Sequence, residues 1–197
     1  MEAMRTHTGK IAVLPIDQCD TDRIIPARYL SRVERSGYGE LLFKDVRGPD
    51  FPLDQPAAKG ATILVTGTNF GCGSSREHAV WAIQQAGFKA VVGKETAETR
   101  GFSDIFRQNS ANCGLLLIEL PEAEHAIVAV AGSGAEASID LPAQTISIGG
   151  KTIHFEMDAA NKAAILEGLD LIGMTLRHEA EISEYEKKSP AYVPVKG

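Results

Sequence analysis

The chain has no excess of positive charge. Its 20 Lys and Arg are outnumbered by 26 Asp and Glu, and the nearest thing to a basic cluster is Lys187 with Lys188. Nucleic-acid binders need a concentrated basic face for phosphates, so the balance argues against that class. Long apolar runs are also missing: "LLLI" and "AIVAVA" fall far short of the roughly 20 residues that span a bilayer. The opening "MEAMRTHTGKIAVLPI" has no basic segment leading into a long apolar core, so no secretory signal is expected. Cysteine is scarce and scattered. Cys19, Cys72 and Cys113 give neither a disulfide framework nor a CxxC knuckle. Reduced thiols in a cytoplasmic compartment follow, with Cys19 and Cys113 structural. Internal repeats and low-complexity tracts are absent too.

What is present suffices for one domain: 197 residues, 44% of them hydrophobic. "KIAVLPI", "ATILVTG", "KAVVG" and "LLLIEL" read as buried strands. Ala79, Ala82, Ile83 and Ala86 recur at helical spacing ahead of a Gly87 stop. "FSDIFRQNSANCG" reads as a helix ending at glycine, and "PEAEHAIVAVAG" as one with Ala123, Ala126, Ile127 and Val130 on its inner face. "ASIDLP", "QTISIG" and "KTIHFEM" alternate like antiparallel strands joined at "IGGK". "DAANKAAILEGL" is then the final helix, capped by aspartate. Residues 24–43 carry Gly37 and Gly39 and predict a mobile segment rather than a continuous helix. Strands alternating with helices, followed by a meander, predict a compact α/β domain over residues 1–197, with a peripheral tail at 181–197.

One stretch does not fit a purely structural role: "NFGCGSSREH", residues 69–78. It lacks the lysine of a phosphate loop, and Arg76 stands where a dinucleotide fingerprint needs its third glycine. Cys72 beside a helix start is a candidate thiolate, but no base can be paired with it from sequence. As a metal ligand it has no local companions. Ser74 to Glu77 matches a capping box, S-x-x-E. A cap alone leaves two glycines, a second serine and an arginine at the wrong end of the helix dipole unexplained. Bared amides, hydroxyls and a forked guanidinium suit a carboxylate, so the anion-site reading is preferred.

These residues resemble the signature of the swivel domain of the aconitase superfamily. "DTDRIIPARYL" (residues 20–30), "FSDIF" with "NSANCGLL" (102–116) and "GLDLIGMTL" (168–176) follow in the matching order. A separate chain of this length is similar to the small subunits of two-subunit isopropylmalate dehydratases, over roughly residues 10–190. The resemblance implies the swivelling β/β/α fold. It implies Ser74 as general base, Ser75 and Arg76 as binders of a substrate carboxylate, and Asp22 as an active-site acid that orients neighbouring charges. It places a substrate-selecting loop at 28–39, where Tyr29, Leu30 and Val33 are apolar candidates for an alkyl group, while Arg32 and Arg35 keep a more polar substrate open. It implies a partner large subunit carrying a [4Fe–4S] cluster, with no cofactor or metal on this chain. Residues 95–101, "ETAETRG", are longer than the usual link.

Elementary chemistry supports that division. A serine is a poor base unless its alkoxide is stabilised, which helix-start amides and a guanidinium favour. Hydroxide must also leave, a task for a Lewis-acid metal, and this chain has no clustered cysteines for an iron–sulfur centre. The same chemistry on homoaconitate or a methylmalate is an alternative, as is a non-catalytic carboxylate-binding module or, less favoured, a Cys72 thiol enzyme. His7, His125, His154 and His178 are expected to be structural or surface residues, and Trp81 to be packing.

Overall fold

The computed structural model describes residues 1–31 and 34–188; Arg32, Val33 and residues 189–197 lie outside it. Seven strands among the described residues form one sheet in the order β4-β3-β2-β1-β5-β6-β7. β1 (Thr6–Leu14), β2 (Ala61–Thr66), β3 (Ala90–Glu95) and β4 (Leu116–Pro121) pair in parallel. β5 (Glu136–Asp140), β6 (Thr145–Ile148) and β7 (Lys151–His154) continue antiparallel from the other side of β1. The β6–β7 turn runs through Gly149 and Gly150 at φ 57° and 76°, as a type I′ hairpin requires. Among the described residues no helix is long and apolar enough to cross a membrane.

Both faces of the parallel half are buried, and strand alternation splits the core in two. Ala12, Leu14, Leu64 and Val91 face one cluster, beneath α2 (Glu77–Gln85), α3 (Asp104–Cys113) and the long β1–β2 crossover. Ile11, Ile63, Val65, Val92 and Ile118 face the other, with Val128 of α4 (Glu122–Val130) and Ile165 of α5 (Ala159–Glu167). Ser103 caps α3, its side chain accepting from Phe106 N, and Gly114 ends that helix in the left-handed conformation. Asp158 caps α5 by accepting from Ala160 N and Asn161 N.

Three expectations need correcting. The inner face of α4 is His125 and Val128, whereas Val130 is 85% exposed. The helix starts at Glu122, and its neighbours offer the His125 ring a buried carbonyl, which the apolar spacing alone does not reveal. On α2, Val80 is buried and Ala86 is exposed. Nor is α5 the last helix. α6 (Leu171–Leu176) starts on an Asp170 cap, and α7 (Glu179–Lys187) follows with no buried residue.

An aromatic cluster underlies the loop after β2. Phe70 meets Phe106 edge to face at 5.4 Å and lies 6.5 Å from Phe43, while Phe102 stacks on Phe106. All four rings are buried. Gly71 sits directly on this floor at φ 76°, where an added Cβ would lie 2.2 Å from Phe106 Cγ. Gly71→Ala should therefore cost about 2–4 kcal/mol, combining overpacking with left-handed strain. Gly73→Ala, at φ 89° but with no atom nearer than 3.5 Å, should cost about 1 kcal/mol. Urea unfolding of the two variants measures the difference.

His125 gives the fold a pH dependence. Its Nε2–H donates to Thr66 O at 2.7 Å, and burial pushes its pKa below the ordinary histidine value. The unfolded chain then binds more protons than the folded one below the unfolded pKa of about 6.5, so stability falls on acidification through that value. His7, lowered by burial and by Lys89, acts in the same direction. The melting temperature should drop between about pH 7.5 and pH 5.5. His125→Gln keeps a donor for Thr66 O and should reduce, without abolishing, that slope in a thermal-melt series.

Candidate active site

The C-terminal ends of β1, β2 and β3 share one edge of the sheet, and the loops that leave it remain paired. Gly67 N donates to Ile16 O at 3.1 Å, Gln18 N to Thr68 O at 2.8 Å and Gly71 N to Cys19 O at 2.8 Å. Asp17 accepts from both Thr68 N (2.7 Å) and Thr68 Oγ1 (3.1 Å), and these bonds hold its carboxyl below the usual range. Thr21 completes the pairing. Its N–H donates to Cys72 O and its hydroxyl to Ser74 O, both at 2.9 Å. From the other side, Asn69 N donates to Arg100 O at 2.8 Å, Phe70 N to Gly101 O at 2.9 Å and Ser103 Oγ to Gly71 O at 2.7 Å. The segment 95–101 thus ends as a buttress of the loop at 69–71.

Glu119 braces that buttress. It accepts from Phe102 N at 3.0 Å and from Arg107 Nη2 at 2.8 Å. Burial raises its pKa, and Arg107 works against the rise.

On this frame the sequence-predicted residues converge. α1 (Thr21–Ile24) is capped by Asp20, whose side chain accepts from Arg23 N, and this turn points Asp22 at Arg76. The two form an ion pair through Arg76 Nη1 and Asp22 Oδ1, although Nη1 donates no well-aligned hydrogen bond. The Arg76 side chain is 14% exposed and that of Asp22 is 55% exposed, so the cation is sunk and its counter-charge lies at the rim. Ser74 and Ser75 are exposed. Among the described residues no intramolecular acceptor meets the backbone N–H groups of Gly73, Ser74, Ser75 or Arg76. Four unpaired amides and two exposed serines therefore lie together beside a mostly buried guanidinium, an arrangement suited to a carboxylate.

The capping box is not formed. α2 begins at Glu77, with extended Arg76 as its N-cap and no side-chain cap bond. Ser74 is too far back to reach the helix, because Thr21 holds its carbonyl in the paired loop. Its hydroxyl is thereby left available. Nor do both glycines bare the backbone: Gly71 is buried and its amide is used, and only Gly73 is exposed. Cys72 does not have a favoured thiolate. Burial and the charge of Asp20 raise its pKa.

Tyr29 and Leu30 follow α1 on a short turn (Ala27–Tyr29), half-buried against the core beneath α2. Arg28 covers the Tyr29 ring at 4.6 Å and pairs with Asp45. No hydrogen bond joins Tyr29 or Leu30 to the cradle, and Val33 lies outside the described residues. Sequence reasoning missed Thr21 and Asn109. Asn109 Nδ2 reaches Ser75 Oγ at 3.4 Å from α3, and its one available signal was its place at the head of "NSANCG".

The donor set does not fit an iron–sulfur cluster. Cys19 is buried and pushed up to about 12 by desolvation. Cys113 is likewise pushed up to about 12, by burial and by its bond to Glu77 at 3.2 Å. Cluster ligation needs converging thiolates. Among the described residues no group of three His, Cys, Asp or Glu is placed to hold a metal ion.

Residues 1–123 match the aconitase C-terminal domain family, and residues 172–194 match the C-terminal domain of the 3-isopropylmalate dehydratase small subunit. The chain is 45% identical over 201 residues to the 3-isopropylmalate dehydratase small subunit of Chloroflexus aurantiacus (strain J-10-fl), covering 96% of this chain and 97% of that protein. With the same-named protein of Bacillus cereus (strain AH820) it shares 41% identity over 199 residues, covering 98% and 100%. The crystal structure of 3-isopropylmalate dehydratase from Methanocaldococcus jannaschii superposes with a TM-score of 0.67 at 31% identity, over 91% of this chain and 99% of that one. Likeness at this level runs through the paired loops and the sheet beneath them, and on it the chain belongs to the 3-isopropylmalate dehydratase small-subunit family, built on the aconitase-type C-terminal domain.

Proposed function

We propose that this chain is the small subunit of a two-subunit hydro-lyase that interconverts 2- and 3-isopropylmalate by dehydration and rehydration, in leucine biosynthesis in the cytoplasm. The observation that carries the reading is the open cradle. An exposed Ser74 hydroxyl stands among unpaired amides, next to a sunken Arg76 held by Asp22.

Each residue has a defined task. Ser74 Oγ takes the proton from the carbon next to a carboxylate. Its charged form is stabilised by the neighbouring amides and by the Arg76 cation, the kind of preorganised field that makes an oxyanion tolerable. Ser75 and Arg76 hold the substrate carboxylate. An arginine offers five N–H donors, so a contact through one Nη1 leaves others for a bidentate clamp. Asp22 fixes the guanidinium and balances its charge. As the C–H bond breaks, its electrons form the alkene and the C–O bond on the adjacent carbon breaks, releasing hydroxide. Among the described residues no metal-holding donor set is placed to assist that departure. We assign it to the large subunit, together with the [4Fe–4S] cluster. The stretch 28–39 takes the alkyl group, with Tyr29 and Leu30 as its apolar candidates; Val33, the third candidate, lies outside the described residues.

The test is reconstitution with a cluster-bearing large subunit, following alkene formation from 3-isopropylmalate. Ser74→Ala should lower kcat about 10³-fold, in the range of a lost general base, with the complex still assembling on a sizing column. Activity within a few-fold of wild type would reject Ser74 as the base. Arg76→Lys should raise KM about 10–100-fold with a smaller effect on kcat, because an ammonium cannot reproduce the fork. An unchanged KM would remove Arg76 from the carboxylate site.

A further inference from the structure

The stretch 28–39 is tied to the cradle at both ends. Its entry follows α1, whose Thr21 is bonded to residues 72 and 74. Its exit is fastened to α2, the helix that follows Arg76, largely by one side chain. Gln85 Nε2 donates to Arg35 O at 2.8 Å, and Gln85 Oε1 accepts from Tyr38 N at 2.8 Å. One amide therefore closes a turn that contains Gly37 at φ 79°. Both ends of the amide are used, so neither a carboxylate nor an ammonium can replace it.

Packing follows the same line. The buried Tyr38 ring lies 5.5 Å from His78 and 5.7 Å from Trp81, both on α2. The Arg35 guanidinium covers the Trp81 ring at 5.3 Å. Gly39 presses on the helix end, where a Cβ would come within 2.5 Å of the Gln85 carbonyl. Gln85 itself is exposed. An exposed position near a helix end accepts many residue types, and burial gives no reason for an amide there. The two bonds to the loop give one.

We propose that Gln85 is a positioning residue for substrate choice. By clamping residues 35–38 to the motif helix, it sets the distance between Tyr29 and Leu30 on the loop and the carboxylate cradle, and hence the size of the alkyl group admitted. The proposal rests on residues 28–39 being the substrate-facing loop, as read above.

The experiment uses holoenzyme reconstituted with the large subunit and compares kcat/KM for 3-isopropylmalate and 3-methylmalate. Gln85→Ala should reduce the isopropyl-to-methyl preference about tenfold, the scale expected from two lost hydrogen bonds. Turnover of the methyl compound should stay within about twofold, since Gln85 is remote from the reacting atoms. Gln85→Glu, which keeps only the acceptor for Tyr38 N, should fall between. Trp81 is the sole tryptophan of the chain, so 5-fluorotryptophan labelling of this subunit gives one ¹⁹F resonance in the complex. That line should move in Gln85→Ala as Arg35 leaves the ring. An unchanged preference overturns the proposal, and so does an unmoved resonance. If the wild-type complex favours a different hydroxy diacid, the substrate assignment falls on its own. The preference is then read on that diacid and its methyl analogue, with the same two outcomes deciding for or against Gln85.

Discussion

Parallel strands leave their sheet in the same direction, and here two of them do not separate when the sheet ends. The loops after β1 and β2 go on exchanging backbone bonds from Ile16 and Gly67 out to Thr21 and Cys72, and the Thr21 hydroxyl adds a bond to the Ser74 carbonyl. Every peptide group spent in this pairing is one that water no longer satisfies, so the loops behave as a short continuation of the ladder. Asp22 and Arg76, far apart in sequence, become neighbours for this reason alone. The aromatic floor of Phe43, Phe70, Phe102 and Phe106 sets the height of the loop, and the buttress at 100–103 prevents it from sliding. Without the ladder, an ion pair with a half-exposed partner would be worth little.

The same pairing decides which groups stay unused. Thr21 consumes the carbonyls of Cys72 and Ser74 but leaves the amides on the outer side open. Helix α2 starts only at Glu77, so its dipole and its unpaired donors extend the row. A serine drawn into a capping box would have its hydroxyl engaged with the helix. Here it is not, and an unengaged hydroxyl in a positive local field is what proton abstraction requires. The thiol next door has the opposite setting: burial and the charge of Asp20 raise its pKa, which disfavours Cys72 as a second nucleophile.

Much of the fold was legible because its signals are local. The parallel strands announced themselves as apolar β-branched runs, the β6–β7 hairpin by Gly149 and Gly150, the end of α3 by Gly114 and the cap of α5 by Asp158. Errors arose where a tertiary partner overruled the pattern. The α4 stripe pointed to Val130, yet a buried carbonyl at Thr66 draws His125 inward. The S-x-x-E spacing was real, yet Thr21, more than 50 residues upstream, holds Ser74 outside the helix. For the site, residue types and spacing indicated an anion cradle, and the resemblance supplied the roles of Ser74, Ser75, Arg76 and Asp22. Neither exposed Thr21 or Asn109, because their parts depend on a loop-to-loop register that no single stretch encodes.

An open edge also explains why this arrangement belongs on a separate chain. A cradle of exposed amides around a sunken cation binds carboxylates weakly in water, where each donor already has a partner and the field is screened. On the proposed reading, closing a second surface over it removes that water and strengthens the Arg76 and amide fields, which makes the Ser74 alkoxide easier to form, all in one step. If the surface that closes also brings the group assisting hydroxide departure, the base is competent only when its counterpart is in place. Neither half can then abstract a proton unproductively. The rigid ladder beneath the cradle serves this directly. It holds the serine and the guanidinium at a fixed spacing before the partner arrives, so that docking need organise only one relative position.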